Sequence, residues 1–187
     1  ARMSERARAV GLPLIYAHLV GGQDEVVFDG NSFAVDAKGH LVGRAPAFQE
    51  DLFTVQVQPT DAAHGSAVSL TGPMVPERED LAQLWDALVL GVRDYVGKNG
   101  FPGVLLGLSG GIDSALVLAI AVDALGKDKV RAVMMPSPYT AEISWIDSRD
   151  MVARLGVRYD EIPIAACFDA FNASLSPMFA GLPEDTT

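Results

Sequence analysis

Cysteine is almost missing from this sequence: Cys167 is the only one in 187 residues. No disulfide framework can form within the chain, which fits a reducing compartment and makes the cytoplasm the expected location. Basic residues are also scarce. The 14 Lys and Arg stand against 24 Asp and Glu, for a formal net charge of -10. A general nucleic-acid or anionic-membrane binder needs a basic footprint, so neither partner class is expected. An anionic nucleotide is not excluded, because one local site can be positive where the whole is not. Long apolar runs are missing too. Residues 112–125 come nearest, but Asp113 and Asp123 interrupt them, and they fall short of the roughly 20 residues a membrane helix needs. The opening "ARMSERARAVGLP" is basic but has no apolar signal core behind it. It reads as the tail of a surface helix.

What is present is apolar material: 49% of residues are hydrophobic, enough for one ordinary domain or parts of two. The texture changes along the chain. Residues 1–58 are strand-rich, with a short helix at Arg2–Val10 ended by Gly11 and Pro13. "LPLIYAHLV" is a continuous apolar run and reads as one buried strand. "GGQDE" (Gly21 to Glu25) breaks it as a turn, the alternative being an acidic metal loop. Further short strands follow, with a hairpin turn at Asp36 to Gly39, and "LFTVQV" adds one more by alternation. Residues 59–77 are rich in Pro, Gly, Ser and Thr and read as a linker.

From residue 78 the pattern becomes helix and strand in turn. Leu81, Leu84, Trp85, Leu88, Val92, Tyr95 and Val96 recur at helical spacing. Asn99-Gly100 ends that helix. Then come a strand (104–108), a helix (112–125), a strand (130–135), a helix (141–155) and a strand (157–164). Alternation of this kind predicts a parallel sheet with right-handed crossovers, so the fold class is α/β.

In such sheets ligands bind at the carboxyl ends of the strands. There the sequence reads "LSGGIDS". Glycines at 110 and 111 permit backbone angles that other residues resist and let a ligand approach the chain closely, and the turn opens a helix whose free amides face it. Ser109 and Ser114 offer hydroxyls. Asp113 is the discriminating residue, because a carboxylate beside phosphates needs a divalent cation between them. The turn therefore predicts magnesium and a nucleotide. Neither G-x-x-x-x-G-K-[ST] nor G-x-G-x-x-G occurs. The residues alone also permit a plain strand-to-helix turn, with Asp113 and Ser114 only favouring the first helical turn. The helix behind is apolar on nearly all sides and is expected to be buried.

"SGGIDS" (Ser109 to Ser114) resembles the pyrophosphate loop of the N-type ATP pyrophosphatases. The wider stretch through "MMPSPYT" (Met134 to Thr140), and the segment Ser174 to Thr187, is similar to the synthetase part of the glutamine-dependent NAD synthetases. "GLPLIYAHLVGGQDEVVFDGNSFAVDAKG" resembles the end of their nitrilase-like glutaminase domain, with His18 where asparagine is expected. The resemblance implies the C-terminal part of a nitrilase-like α/β sandwich (1–58), a linker (59–77), and the first βαβαβ portion of a parallel-sheet ATP-pyrophosphatase domain (78–187). It implies ATP contacts from Ser109, Gly110, Gly111, Ile112, Asp113 and Ser114, with Asp113 at magnesium. Met135, Pro136 and Ser137 would border the adenine.

The implied reaction amidates deamido-NAD to NAD through an adenylate, with ATP going to AMP and pyrophosphate and ammonia coming from glutamine. The glutaminase Cys, Glu and Lys are expected upstream, so no catalytic residue is assigned in this chain. It is expected to be an inactive internal piece of a homo-oligomeric enzyme. Another ATP-pyrophosphatase amidotransferase is the rival enzyme reading, and a non-catalytic nucleotide-binding module is the rival of another class. Cys167 is expected to be a packed core thiol rather than a nucleophile. His18, His40 and His64 have no metal-ligand spacing. Trp85 and Trp145 are expected in the core, and Glu142, Asp147, Arg149 and Asp150 on a solvated helix face.

Overall fold

The computed structural model describes residues 2–60 and 68–181; His64 and the end of the chain lie outside them. The chain divides into two compact units, Ala1–Gly100 and Phe101–Thr187.

The first unit opens with α1 (Arg2–Val10). β1 (Leu14–Tyr16), β4 (Phe33–Val35) and β5 (Leu41–Arg44) form an antiparallel sheet in the order β1-β4-β5. β2 (Val20–Gln23) and β3 (Val26–Asp29) form a hairpin, as do β6 (Gln56–Pro59) and β7 (Val68–Thr71). The run "LPLIYAHLV" is thus two strands, not one buried strand. β1 pairs with β4 while β2 turns to β3, and Ile15 and Leu19 are exposed. "GGQ" belongs to β2, and only Asp24 and Glu25 make the turn. The turn at Asp36 is where the sequence puts it: its carboxylate accepts from the amides of Lys38 and His40 at 2.9 and 2.8 Å. β7 lies inside the stretch 59–77, whose composition alone suggests a linker.

Helix α2 (Asp80–Lys98) belongs to this unit and packs on the β2–β3 hairpin. Gly91, Asp94 and Lys98, spaced three and four apart, form the contacting face. The Gly22 amide donates to Asp94 Oδ2 at 2.8 Å, and Lys98 Nζ donates to the Gly22 carbonyl at 2.6 Å. Lys98 also pairs with Asp94 at 3.1 Å. The approach is close: a Cβ on Gly22 would stand 3.2 Å from Gly91 Cα and 3.3 Å from Asp94 Cβ, so a larger residue would crowd the helix. This contact sets the helix rotation. Val89, Leu90 and Val96 are buried, whereas Leu81, Leu84, Leu88 and Tyr95 of the apolar stripe are exposed. Trp85 is half-buried.

The second unit is a three-stranded parallel sheet in the order β10-β9-β8. Its strands are β8 (Val104–Gly107), β9 (Val130–Met134) and β10 (Arg158–Glu161), joined by α3 (Ile112–Leu125) and α4 (Glu142–Leu155). α5 (Ala165–Leu175) follows. Leu108, Leu118, Ala121, Val130, Ala132 and Val152 form the core. β9 is central and accordingly apolar throughout except Arg131. α3 is only half-buried: Ile112, Leu116 and Val117 are exposed while Leu118, Ala121 and Ala124 are not. An all-apolar helix carries no direction in its pattern, so the covered face is set by its neighbours. Cys167 is exposed on α5, contrary to the expected core thiol. α5 buries none of its residues, so its position after the third strand does not put it in the interior. Among the described residues no helix is long and apolar enough to cross a membrane.

Candidate functional site

β8 and β9 run in register, with Leu106 opposite Ala132 and Gly107 opposite Val133. The Leu108 amide adds one more rung to the Val133 carbonyl at 2.8 Å. Pairing then stops, and Ser109, Gly110 and Gly111 turn the chain into α3. Gly110 has φ +80°. A Cβ there would lie 2.5 Å from Ser144 Cα and 2.6 Å from the Ser144 carbonyl oxygen, in the first turn of α4. Backbone angle and close approach both demand glycine. Sequence reading gave the first reason but not the second, because nothing near Ser144 signals its neighbour.

The two serines brace the turn. Ser114 Oγ donates to the Gly111 carbonyl at 3.0 Å. It accepts from the Ser109 amide at 3.2 Å and lies 3.0 Å from Ser109 Oγ. With the Ser114 proton so committed, Ser109 is the donor between the hydroxyls. Ser109 Oγ also accepts from the Gly111 amide at 3.3 Å. The hydroxyls therefore shape the loop. The donors left for a ligand are backbone amides: Ile112, Asp113 and Ser114 have no acceptor within the helix they open. Gly111, the residue before α3, supplies no side-chain cap. The positive end of the α3 dipole points the same way. Asp113 is exposed in that first turn. An exposed carboxylate beside open amides is a donor set that fits a magnesium ion accompanying phosphates.

The second loop follows β9. Met135 is exposed, Pro136 buried and Ser137 half-buried. The Met135 methyl would lie 3.7 Å from a Cβ on Gly107, so the ends of β8 and β9 carry these residues side by side. Thr140, which sequence reading placed in the loop without a role, locks it. The Ser137 amide donates to Thr140 Oγ1 at 2.9 Å, and the Thr140 amide returns to the Ser137 carbonyl at 3.1 Å. The Ile164 amide donates to the Pro136 carbonyl at 3.0 Å, bringing the third loop, residues 162–164 between β10 and α5, to the second.

Beneath the site, ion pairs fasten the sheet. Arg149 grips Glu161 with Nε–Oε1 at 2.7 Å and Nη2–Oε2 at 2.9 Å, tying α4 to β10. That hydrogen-bonded guanidinium holds the Glu161 carboxyl below its usual range, and Arg131 does the same for Asp160. Arg149 also lies over the half-buried Trp145 ring at 5.0 Å. The charged face of α4 is thus partly structural. Burial, with Glu161 nearby, pushes the Tyr159 hydroxyl up to about 12, so it stays protonated. It donates to Met134 Sδ at 3.3 Å. In the first unit His18 pairs with Asp29 at 3.0 Å and His40 with Asp36 at 3.1 Å.

The family described as NAD synthase matches residues 84–184, more than half of the chain. The chain belongs to the NAD synthase family. The glutamine-dependent NAD(+) synthetase of Xylella fastidiosa is 46% identical over 187 residues, covering 100% of this chain and 34% of that protein. That of Synechocystis is 44% identical over 181 residues, 97% of this chain and 32% of the relative. The chain thus spans about a third of the length of the curated relatives it matches. Among solved structures, the glutamine-dependent NAD+ synthetase of Acinetobacter baumannii, in complex with adenosine diphosphate, superposes with a TM-score of 0.89. It is 41% identical and covers 98% of this chain and 34% of its own.

Proposed function

We propose that this chain supplies the ATP-activating part of a glutamine-dependent NAD synthetase, a carbon–nitrogen ligase. The carrying observation is the braced Ser-Gly-Gly turn, which aims unpaired amides and an exposed Asp113 outward from the carboxyl end of β8. The names of the relatives support the substrate assignment, and the adenosine diphosphate bound by the Acinetobacter protein supports the nucleotide.

In this reading the amides of Gly110, Ile112, Asp113 and Ser114 hold the phosphates, while Ser109, Ser114 and Gly111, whose amide is taken by Ser109 Oγ, keep the turn in shape. Met135, Pro136 and Ser137 border the adenine. Asp113 would hold magnesium, which would neutralise the charge of the leaving pyrophosphate. The carboxylate of deamido-NAD attacks the α-phosphorus, giving an acyl adenylate and pyrophosphate, and ammonia then displaces AMP to leave the amide. Catalysis is positioning and charge stabilisation, with no protein nucleophile. Residues 1–58 end the nitrilase-like glutaminase part that supplies the ammonia, and no step of glutamine hydrolysis is assigned to them. The enzyme assembles as a homo-oligomer through its synthetase part and works in the cytoplasm.

The test is to assay the full-length enzyme with ATP, magnesium and deamido-NAD, using ammonium or glutamine, beside its Asp113→Ala variant. NAD, AMP and pyrophosphate should form from either nitrogen source and be lost in the variant. AMP formation that persists without Asp113 would overturn the role given to it. No AMP with deamido-NAD under any condition would overturn the acceptor.

A further inference from the structure

Tyr139 is an oddity. Its turn is locked, because the Ser137 amide and hydroxyl meet Thr140 Oγ1 at 2.9 and 3.4 Å. The Tyr139 amide itself donates to Ser137 Oγ at 3.2 Å. Yet the side chain on this fixed backbone is 76% exposed. It is not free to wander, for its ring meets Phe168 of α5 edge-on, with centroids 5.6 Å apart and planes at 78°. Phe168 is in turn held near the turn, since the Ile164 amide bonds the Pro136 carbonyl at 3.0 Å. Exposed Met135 stands at the start of the same loop. Ser144, five residues after Tyr139, abuts Gly110 of the phosphate turn.

An exposed aromatic ring with an edge-on neighbour, on the loop that follows β9 as the phosphate turn follows the adjacent β8, has the form of a stacking surface. An edge-on partner fixes a ring while leaving its face open. We propose that Tyr139, backed by Phe168, stacks on the heteroaromatic base of the bound nucleotide and contributes to its recognition separately from the phosphates. This rests on the nucleotide reading of the Ser-Gly-Gly turn given above. Stacking is indifferent to hydrogen-bond pattern, so Tyr139 selects for a base of any kind over none. Discrimination among bases is left to the polar groups of Ser137 and its neighbours.

The experiment is calorimetric titration of the full-length enzyme with magnesium ATP and, separately, with magnesium tripolyphosphate, which has the phosphates but no base. Wild type should prefer ATP. Tyr139→Ala should weaken ATP about tenfold, within the range of a base–aromatic stack, and leave tripolyphosphate unchanged. Tyr139→Phe should keep the wild-type preference, and Phe168→Leu should lose part of it. Thermal melts of each variant separate recognition from folding. A Tyr139→Ala variant that melts earlier but keeps the ATP-to-tripolyphosphate ratio would make the pair a structural brace and overturn the proposal. A wild type that binds both ligands equally would overturn it while leaving the cradle standing. A wild type that binds neither would overturn the cradle itself.

Discussion

Each unit of this molecule contains a pair of adjacent glycines, and the two pairs do opposite things. Gly21-Gly22 lies in strand β2 and lets the hairpin press onto α2, where the Gly22 amide is taken by Asp94 and its carbonyl by Lys98. Gly110-Gly111 lies past the end of β8 and also allows a close approach, to Ser144. There the following amides open a helix and have no acceptor within it. One pair is used for packing and its polar groups are consumed by the protein. The other is packed on one side and open on the other. A double glycine alone announces only proximity; what takes its amides decides between scaffold and site.

The sharpest way to break this contrast is at Gly110. Gly110→Ala combines a disfavoured backbone angle with a carbon 2.5 Å from Ser144 Cα. It should cost about 3 kcal/mol of stability in the second unit, from strain and overpacking together, and abolish ATP binding. Denaturant unfolding and titration measure the two losses, and wild-type stability would contradict the crowding described. Asp94→Ala is the matching cut in the first unit. It leaves the half-buried Gly22 amide unpaired, at about 1–2 kcal/mol, and removes the partner of Lys98. Its effect should appear in unfolding of the first unit with ATP affinity unchanged, and a fall in affinity would break the separation of roles.

A smaller change of opposite sign is expected at Ser148, buried on α4 with a hydroxyl that has no partner among the described residues. Ser148→Ala should stabilise the second unit by up to about 1 kcal/mol by removing an unpaired buried group. A destabilised variant in thermal melts would mean that the hydroxyl has a partner after all.

The smallest effect is acid sensitivity. Asp160 and Glu161 titrate below their usual range, held chiefly by the Arg131 and Arg149 guanidinium groups. A carboxylate whose folded pKa is depressed contributes stability that is present above its unfolded value. That stability is lost as pH falls through the folded value. Melting temperature of the second unit should therefore drop as pH falls below the ordinary values of these carboxyls, 4.5 for Glu161 and 3.8 for Asp160, less steeply in Arg131→Gln. In the first unit Asp36 shifts the same way: burial opposes the shift, and the His40 and Lys38 hydrogen bonds outweigh it. The acid response of that unit should ignore the Arg131 substitution.

Much of the second unit was legible in the residues because each element carries its own punctuation. Gly126 and Gly156 stop its two crossover helices, and α3 spans Ile112–Leu125 as the pattern predicts. The first unit was less legible. "LPLIYAHLV" offers no local reason to divide, since the division follows from β1 and β2 finding different partners. The rotation of α2 was hidden for a similar reason. Leu81, Leu84, Leu88 and Tyr95 of its apolar stripe are exposed while Val96 is buried, and the contact with β2 is made by Gly91, Asp94 and Lys98, none of which belongs to that stripe. At the site, "SGGIDS" revealed the turn and the open amides. It could not reveal Ser144, 34 positions after Gly110, or that the serine hydroxyls are spent on the loop. Cys167 misled because a place after the third strand does not put α5 in the interior.

The linkage between Ser109 and Ser114 has a kinetic corollary. A loop already closed on itself by hydroxyls offers an arriving ligand a finished surface, so no slow rearrangement has to precede or follow the encounter. Association should proceed in one step at a rate set by diffusion and charge. Substitutions around the turn that keep it intact should then alter affinity through the residence time of the ligand.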